Sequence, residues 1–316
     1  MPDMSAPVYD LTLARRFCAA PMMRYSHSAA RRLWRFLCPP ALLYTEMLSC
    51  EAIIRGRSLP DFAGQSPVAL QLGGSCPKKL AAAAQIGEQL GAAEINLNCG
   101  CPSPRVLRGS FGACLMKTPQ NTGAAVAAMK RAVNIPVTVK CRIAVDDMDA
   151  ESGLDIFARA VLENGGDALV LHARRALLRG LNPAQNRAAP PLDYARARRL
   201  KESLGAFPVI LNGGIADVAA AKTHLQFFDG AMLGRAVVRR PYLLAEAARD
   251  IFNTPPHSRR DALRFMLEDA AARPQEWRRA VSALSGLFHG EAKSGEYRRR
   301  LSLPCARALP LLRAYC

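Results

Sequence analysis

Glu94-Ile-Asn-Leu-Asn-Cys-Gly-Cys-Pro-Ser-Pro104 starts as a strand and stops being one within a few residues. Over positions 94–98, apolar Ile95 and Leu97 alternate with polar residues, and Gly100-Cys101-Pro102 then admits neither helix nor sheet ladder. The same unit recurs along the chain: an apolar run, a loop with Gly, Pro or a polar residue, then a helical stretch. Its apolar runs are 17–20, 42–45, 68–72, 93–98, 137–141, 168–171, 208–211 and 230–233, eight in all. Helical spacing fills 77–90, 123–133, 153–164, 194–204 and 217–225 between them. Near-continuous apolar strands separated by helices describe a parallel sheet covered on both faces. Eight such units in about 230 residues describe a (β/α)8 TIM barrel. A doubly wound open sheet is the alternative, but no G-x-G-x-x-G follows any strand.

The barrel is expected over residues 16–250, after an irregular tail at 1–15. Beyond it the texture changes at the linker Asn253-Thr-Pro-Pro-His257, and 251–316 reads as a small C-terminal helical domain. Ala262, Phe265, Met266, Leu284, Leu287 and Phe288 recur there at helical spacing, which suits a bundle core of its own. This segment holds twelve Lys/Arg against six Asp/Glu, about +6 of the net +17. Such a surplus says nothing about fold but favours a polyanionic partner, nucleic acid or an anionic membrane surface. Ten cysteines include no C-x-x-C pair, which argues against zinc ribbons and cysteine-ligated iron–sulfur clusters, so no metal is expected. With no signal peptide and no apolar run of transmembrane length, a reduced cytoplasmic protein with free thiols is expected.

In this fold the active site lies at the C-terminal ends of the strands. Nearly every expected end carries a polar residue or a glycine: Ala20-Pro21-Met22, Glu46, Gln71, Asn98 with Cys101, Lys140 with Arg142, His172 with Arg174, Asn212-Gly213-Gly214, and Gly234-Arg235. One buried His or Lys is usually a satisfied core group, and one buried thiol is usually packing. Eight furnished ends on one barrel face are not explained that way. Gly213-Gly214 and Gly234-Arg235 follow strands seven and eight, where this fold binds phosphate through exposed backbone N–H groups. Arg235 adds a fork of donors for a phosphate dianion. Lys140 among apolar neighbours suits the electron-rich pyrimidine edge of a flavin, and the Gln71 amide can meet that ring's donor and acceptor edge. Flavin mononucleotide, FMN, is the cofactor inferred.

These residues also resemble the tRNA-dihydrouridine synthases. The likeness lies in Glu94-Ile-Asn-Leu-Asn with Gly100-Cys101-Pro102-Ser103, followed by Phe111-Gly-Ala-Cys-Leu-Met116. The A-type bacterial branch is similar through Leu43-Tyr-Thr-Glu-Met47, Val68-Ala-Leu-Gln-Leu-Gly-Gly74 and Pro136-Val-Thr-Val-Lys140. His172-Ala-Arg174, Pro190-Pro-Leu-Asp-Tyr194, Asn212-Gly-Gly-Ile215 and Leu287-Phe-His-Gly290 with Tyr297-Arg-Arg299 extend the match over residues 17–301. The resemblance implies an FMN enzyme that reduces D-loop uridines of tRNA, at positions 20 and 20a, with NADPH (or NADH) recharging the flavin. It implies that Ala20, Pro21, Met22, Gln71, Lys140, His172, Asn212, Gly213, Gly214, Gly234 and Arg235 hold FMN. It further implies that Asn98, Arg187, Arg298 and Arg299 touch tRNA and that Cys101 is the proton donor.

The chemistry agrees with that role for Cys101. Hydride added at C6 of uracil drives negative charge toward C5 and the carbonyl oxygen, so an acid must protonate C5. Ordinary thiols keep their proton near neutral pH and suit this task. Cys99 and Cys114 are assigned to packing. A substrate uridine stacked in folded RNA has to be turned out into the barrel mouth, with Asn98 placed to read its Watson–Crick edge. A monomer is expected. Two other readings stay open: an FMN barrel oxidoreductase acting on a free small pyrimidine, and a non-catalytic RNA-binding barrel. The first has no use for a basic helical appendage, and the second predicts a colourless protein.

Overall fold

The computed structural model describes residues 9–316. All eight runs form strands: β1 Phe17–Ala19, β2 Leu42–Tyr44, β3 Val68–Gly73, β4 Glu94–Asn98, β5 Val137–Arg142, β6 Ala168–His172, β7 Val209–Asn212 and β8 Gly230–Leu233. Each pairs in parallel with its neighbours in sequence, and β1 also pairs with β8, Cys18 lying opposite both Leu42 and Met232. The ring is therefore closed. A two-residue strand, Leu48–Ser49, extends the pairing along the upper end of β3.

Strand alternation sorts side chains to two sides of the barrel wall. Leu70, Leu72, Ile95, Leu97, Val137, Val139, Leu169, Leu171 and Leu211 join the large outer core beneath the helices. Cys18, Leu42, Tyr44, Ala69, Val170, Ile210 and Met232 form a smaller apolar cluster within the ring. The same inner side carries the polar residues that the site grows from, and Glu94, Asn96 and Thr138 are almost fully buried there.

The five expected helices appear, Tyr194–Leu204 with its expected bounds and the others shifted by up to four residues, and Ser28–Leu37 and Leu243–Phe252 join them. After Ser28–Leu37 come Pro77–Gln89, Pro119–Ala132, Ser152–Glu163, Tyr194–Leu204, Val218–His224 and Leu243–Phe252. The third starts four residues earlier than its sequence pattern, because Pro119 takes the first helical position, where its missing N–H is harmless. The last reaches past residue 250 and stops at Asn253, whose φ of 53° is left-handed.

The expected irregular tail needs correction where it is described. Leu11–Ala14 is a single helical turn capped by the Asp10 carboxylate, and Ala14 packs into the interior cluster. Residues 1–8 lie outside the described residues.

Residues after 258 form helices Arg259–Ala272, Trp277–Leu284, Ser294–Leu301 and Cys305–Arg313. Ala262, Met266, Leu284 and Leu287 are buried as expected. Phe265 is not in a separate bundle core. It stacks on Phe36 of helix Ser28–Leu37 with ring centroids 4.6 Å apart, and His257 stacks on the same ring at 4.2 Å. From that helix Arg32 reaches Asp269 at 2.9 Å and Glu276 at 2.5 Å. Both carboxylates belong to the C-terminal segment, so the appendage is docked on the barrel by charge as well as by apolar contact. Among the described residues, no helix is long and apolar enough to cross a membrane.

Candidate active site

Strand register brings the polar ends together. Asn98 lies opposite Lys140, Arg142 opposite His172, and His172 opposite Asn212. Lys140 donates to Asn212 Oδ1 at 2.8 Å, and Asn212 donates to the Met232 carbonyl at 2.7 Å. Lys140, His172 and Asn212 thus line one wall of the barrel mouth, as the sequence implied.

The thiol is seated by its own strand. Asn98 Oδ1 accepts from the backbone N–H of Gly100 at 3.2 Å and of Cys101 at 3.0 Å, fixing the turn. The Cys101 carbonyl accepts from Ala113 N–H at 3.0 Å, which ties the turn to the segment after Gly112. Gly112 has φ +66°, and a Cβ there would sit 2.7 Å from that carbonyl, so only glycine fits. Cys101 stays half-buried, with Sγ 3.5 Å from Ser103 Oγ. Cys99 is fully buried and Cys114 half-buried. Burial pushes the Cys99 thiol well above its usual range, which fits a packing role.

Asn98 has little of its amide left for a ligand. Its carbonyl is committed to the turn, and one N–H goes to Gln71 Oε1 at 2.9 Å. The Watson–Crick reader expected from sequence therefore presents a single N–H donor. Gln71, only 1% exposed, donates to Asn96 at 2.8 Å and keeps one N–H free.

Across the ring from Cys101, glycines open a cradle. Gly213 and Gly214 have φ of 109° and 74°. A Cβ on Gly214 would lie 2.4 Å from Leu192 Cδ1 and 2.5 Å from Tyr194 Oη, and one on Gly234 would lie 3.0 Å from Met22 Sδ. Tyr194 holds the first pair by donating to the Gly213 carbonyl at 2.7 Å. Pro21 and Met22 border the cradle half-buried, while Ala20 is anchored by its N–H to the Leu233 carbonyl at 2.8 Å.

Positive charge around the cradle is not neutralised. Among the described residues, Arg142, Arg174, Arg187, Arg235 and Arg239 have no carboxylate within ion-pair distance. Burial, then Arg187, Arg239 and Arg174, lowers the Arg235 pKa. Burial, then Arg142, Lys140, Arg174 and Arg235, holds the His172 imidazole well below its usual value, so it is neutral at physiological pH. Burial and Arg142 push Lys140 down to about 7. Like charges held this close call for an anion, and a cradle of three glycines, two of them at positive φ, fits a phosphate.

Sequence pattern assigns Arg142 no role beyond its place at a strand end, and in the structure it is the tie across the mouth. It is 5% exposed and donates from Nε to the Gly100 carbonyl at 3.2 Å and from Nη1 to the Asn186 carbonyl at 3.0 Å. The next residue, Arg187, accepts from Arg235 Nη2 at its carbonyl at 3.0 Å, with its own guanidinium exposed. Ser103, beside the thiol, was also missed. Only strand alternation, which points Arg142 the same way as Lys140, marks it in the sequence. Arg298 and Arg299 do not join this assembly. They stand exposed on helix Ser294–Leu301, while their neighbour Arg300 is paired to Glu296 and lies over the Tyr315 ring. Among the described residues, no group of His, Cys, Asp and Glu is arranged to hold a metal ion.

A closed parallel barrel with a free thiol on one side of its mouth and an arginine-rimmed glycine cradle on the other defines a TIM-barrel enzyme. Comparison with known proteins narrows this. The profile described as dihydrouridine synthase (Dus) matches residues 18–306. The tRNA-dihydrouridine(20/20a) synthase of Xanthomonas campestris pv. campestris is 45% identical over 293 residues, covering 91% of this chain and 88% of its own. Those of Vibrio parahaemolyticus and Yersinia pestis are 41% and 40% identical, covering 92% and 94% of this chain and 92% and 87% of theirs. The chain belongs to the dihydrouridine synthase family, whose members are flavin-dependent enzymes that modify uridines of tRNA.

Proposed function

We propose that this enzyme reduces the C5=C6 bond of uridines 20 and 20a in the tRNA D-loop, working as a cytoplasmic monomer with FMN in the barrel mouth and NADPH as reductant. Support comes above all from one juxtaposition: the seated thiol of Cys101, in the turn after β4, faces the unneutralised anion cradle after β7 and β8, three and four strands away in a ring of eight. A flat cofactor anchored by its phosphate at the cradle extends toward the thiol.

In this assignment Gly213, Gly214, Gly234 and Arg235 take the FMN phosphate, with Ala20, Pro21 and Met22 closing one side. Lys140, Gln71, His172 and Asn212 meet the isoalloxazine ring. Bound FMN supplies hydride to C6 of the uracil. Cys101 delivers the proton to C5, and the Ser103 hydroxyl beside Sγ steadies that hydrogen. The remaining N–H of Asn98 addresses a uracil carbonyl. Arg187, Arg298 and Arg299 hold tRNA phosphates, which makes residues 251–316 a tRNA-binding unit beside the catalytic barrel at 16–250.

The test is Cys101→Ala. The purified variant should keep its flavin absorbance and lose uridine reduction, read as dihydrouridine in digests of tRNA from a strain lacking the wild-type enzyme. Full turnover by the variant would refute the acid assignment, and a colourless wild-type protein would refute the cofactor.

A further inference from the structure

Six polar side chains form one continuous hydrogen-bonded line from the bottom of the barrel to the turn that carries Cys101. Arg15 donates twice to Glu94 Oε2, at 3.0 Å from Nε and 2.7 Å from Nη2. Glu94 Oε1 accepts from the Thr138 hydroxyl at 2.5 Å and from the Tyr44 hydroxyl at 3.1 Å. Thr138 Oγ1 accepts from Asn96 Nδ2 at 2.8 Å, Asn96 Oδ1 from Gln71 Nε2 at 2.8 Å, and Gln71 Oε1 from Asn98 Nδ2 at 2.9 Å. Asn98 Oδ1 then takes the N–H groups of Gly100 and Cys101.

The direction of this line is dictated from both ends. An ionised carboxylate only accepts, so Thr138 must give its single hydrogen to Glu94 and accept from Asn96. At the other end backbone N–H groups only donate, so Asn98 must turn its carbonyl toward them. One arrangement satisfies every link, and it leaves Asn98 with an N–H, never a carbonyl, for a ligand. Glu94 is wholly buried and its carboxylate has four donors, so nothing else competes for it.

We infer that Glu94, held by Arg15, is a positioning residue that sets the polarity of this amide line and thereby orients Asn98 and Gln71 and seats the turn of Cys101. The link to uridine reduction rests on the roles given above to Asn98 and Cys101. The polarity itself does not, so it is tested by stability.

Asn98→Asp makes both ends accept only. The line is then frustrated, and one buried junction must face acceptor to acceptor. A second change, Glu94→Gln, lets the whole line reverse. The introduced glutamine amide donates to Thr138, Thr138 to Asn96, Asn96 to Gln71, and Gln71 to the introduced aspartate, which still holds the two N–H groups. On the flavin-loaded protein, Asn98→Asp should lower the melting temperature by about 2–10 °C, the range for one buried unsatisfied group in a chain of this size. Glu94→Gln should lower it in the wild-type background and raise it in the Asn98→Asp background. Additive losses would overturn the inference, as would a double variant that fails to fold where Asn98→Asp alone folds. If Glu94→Gln alone does not fold, Asn98→Asp against the double variant still decides. Uridine reduction is read separately: the double variant regains stability but, lacking the N–H of residue 98, should stay inactive. Regained activity would overturn the role of that N–H and leave the polarity intact.

Discussion

Lys140 gives a quantitative handle on how the site receives its cofactor. Its ammonium donates to Asn212, but burial and then Arg142 push its pKa from 10.5 down to about 7. At pH 8 such a lysine is only about one-tenth protonated, and at pH 7 about half. The electron-rich pyrimidine edge of a flavin placed against it favours the charged form and returns the pKa toward its ordinary value. Binding should therefore take up about 0.9 proton per FMN at pH 8 and about 0.5 at pH 7. The phosphate of FMN, with a second pKa near 6, is already a dianion at pH 8 and releases almost none. His172, held well below its usual value, stays neutral there.

Calorimetric titration of deflavinated protein in two buffers of different ionisation heat reads the number directly. Lys140→Met should abolish the uptake. No uptake at pH 8, or undiminished uptake in Lys140→Met, would refute the reasoning. Between about pH 7 and 10.5 the unfolded chain binds the extra proton, so unliganded protein gains stability as pH rises through that window. Below pH 7 the full penalty of burying the ammonium is present.

Two further outcomes are expected. Gly214→Ala places a Cβ within 2.5 Å of Leu192 and Tyr194 at φ +74°, so FMN affinity, followed by fluorescence quenching, should fall about tenfold or more while the fold loses only about 1–3 kcal/mol. Unchanged affinity would remove the phosphate from that cradle. Joint Arg298→Gln and Arg299→Gln substitution should weaken tRNA binding and reduce the slope of log affinity against log salt by about two. Arg300→Gln, which breaks the pair with Glu296, should instead act mainly on stability.

The barrel was legible because its strands are buried on both sides and so read as continuous apolar runs, bounded by Gly and Pro. Boundaries slipped where local signals compete, as at Pro119. Helix Ser28–Leu37 was harder to see. Its cap is His27, and Arg31 and Arg32 turn inward, so polar residues occupy its buried face. Helical spacing places Phe265 in a bundle core because it reports that a face is apolar but not which partner covers it. At the site, residue types at strand ends pointed to a mouth, a cradle and an acid. What stayed hidden depends on register. Gln71 opposite Asn96 and Asn98 opposite Lys140 join polar side chains of three strands, a relation that no single segment contains. Arg142 was hidden for the same reason, since its two carbonyl partners lie 42 and 44 residues away.

The seam between β1 and β8 has a consequence for biosynthesis. The first strand to leave the ribosome waits for the last, because Ala19 pairs with Leu233. At about 5–20 residues per second, one edge of the growing sheet stays open for roughly 10–40 s. Arg15 similarly waits for Glu94, and the amide line for Thr138. A nascent chain so long unfinished invites pairing with its neighbours on a polysome. With only Phe17–Ala19 on offer, that edge is too short to hold a stranger for long.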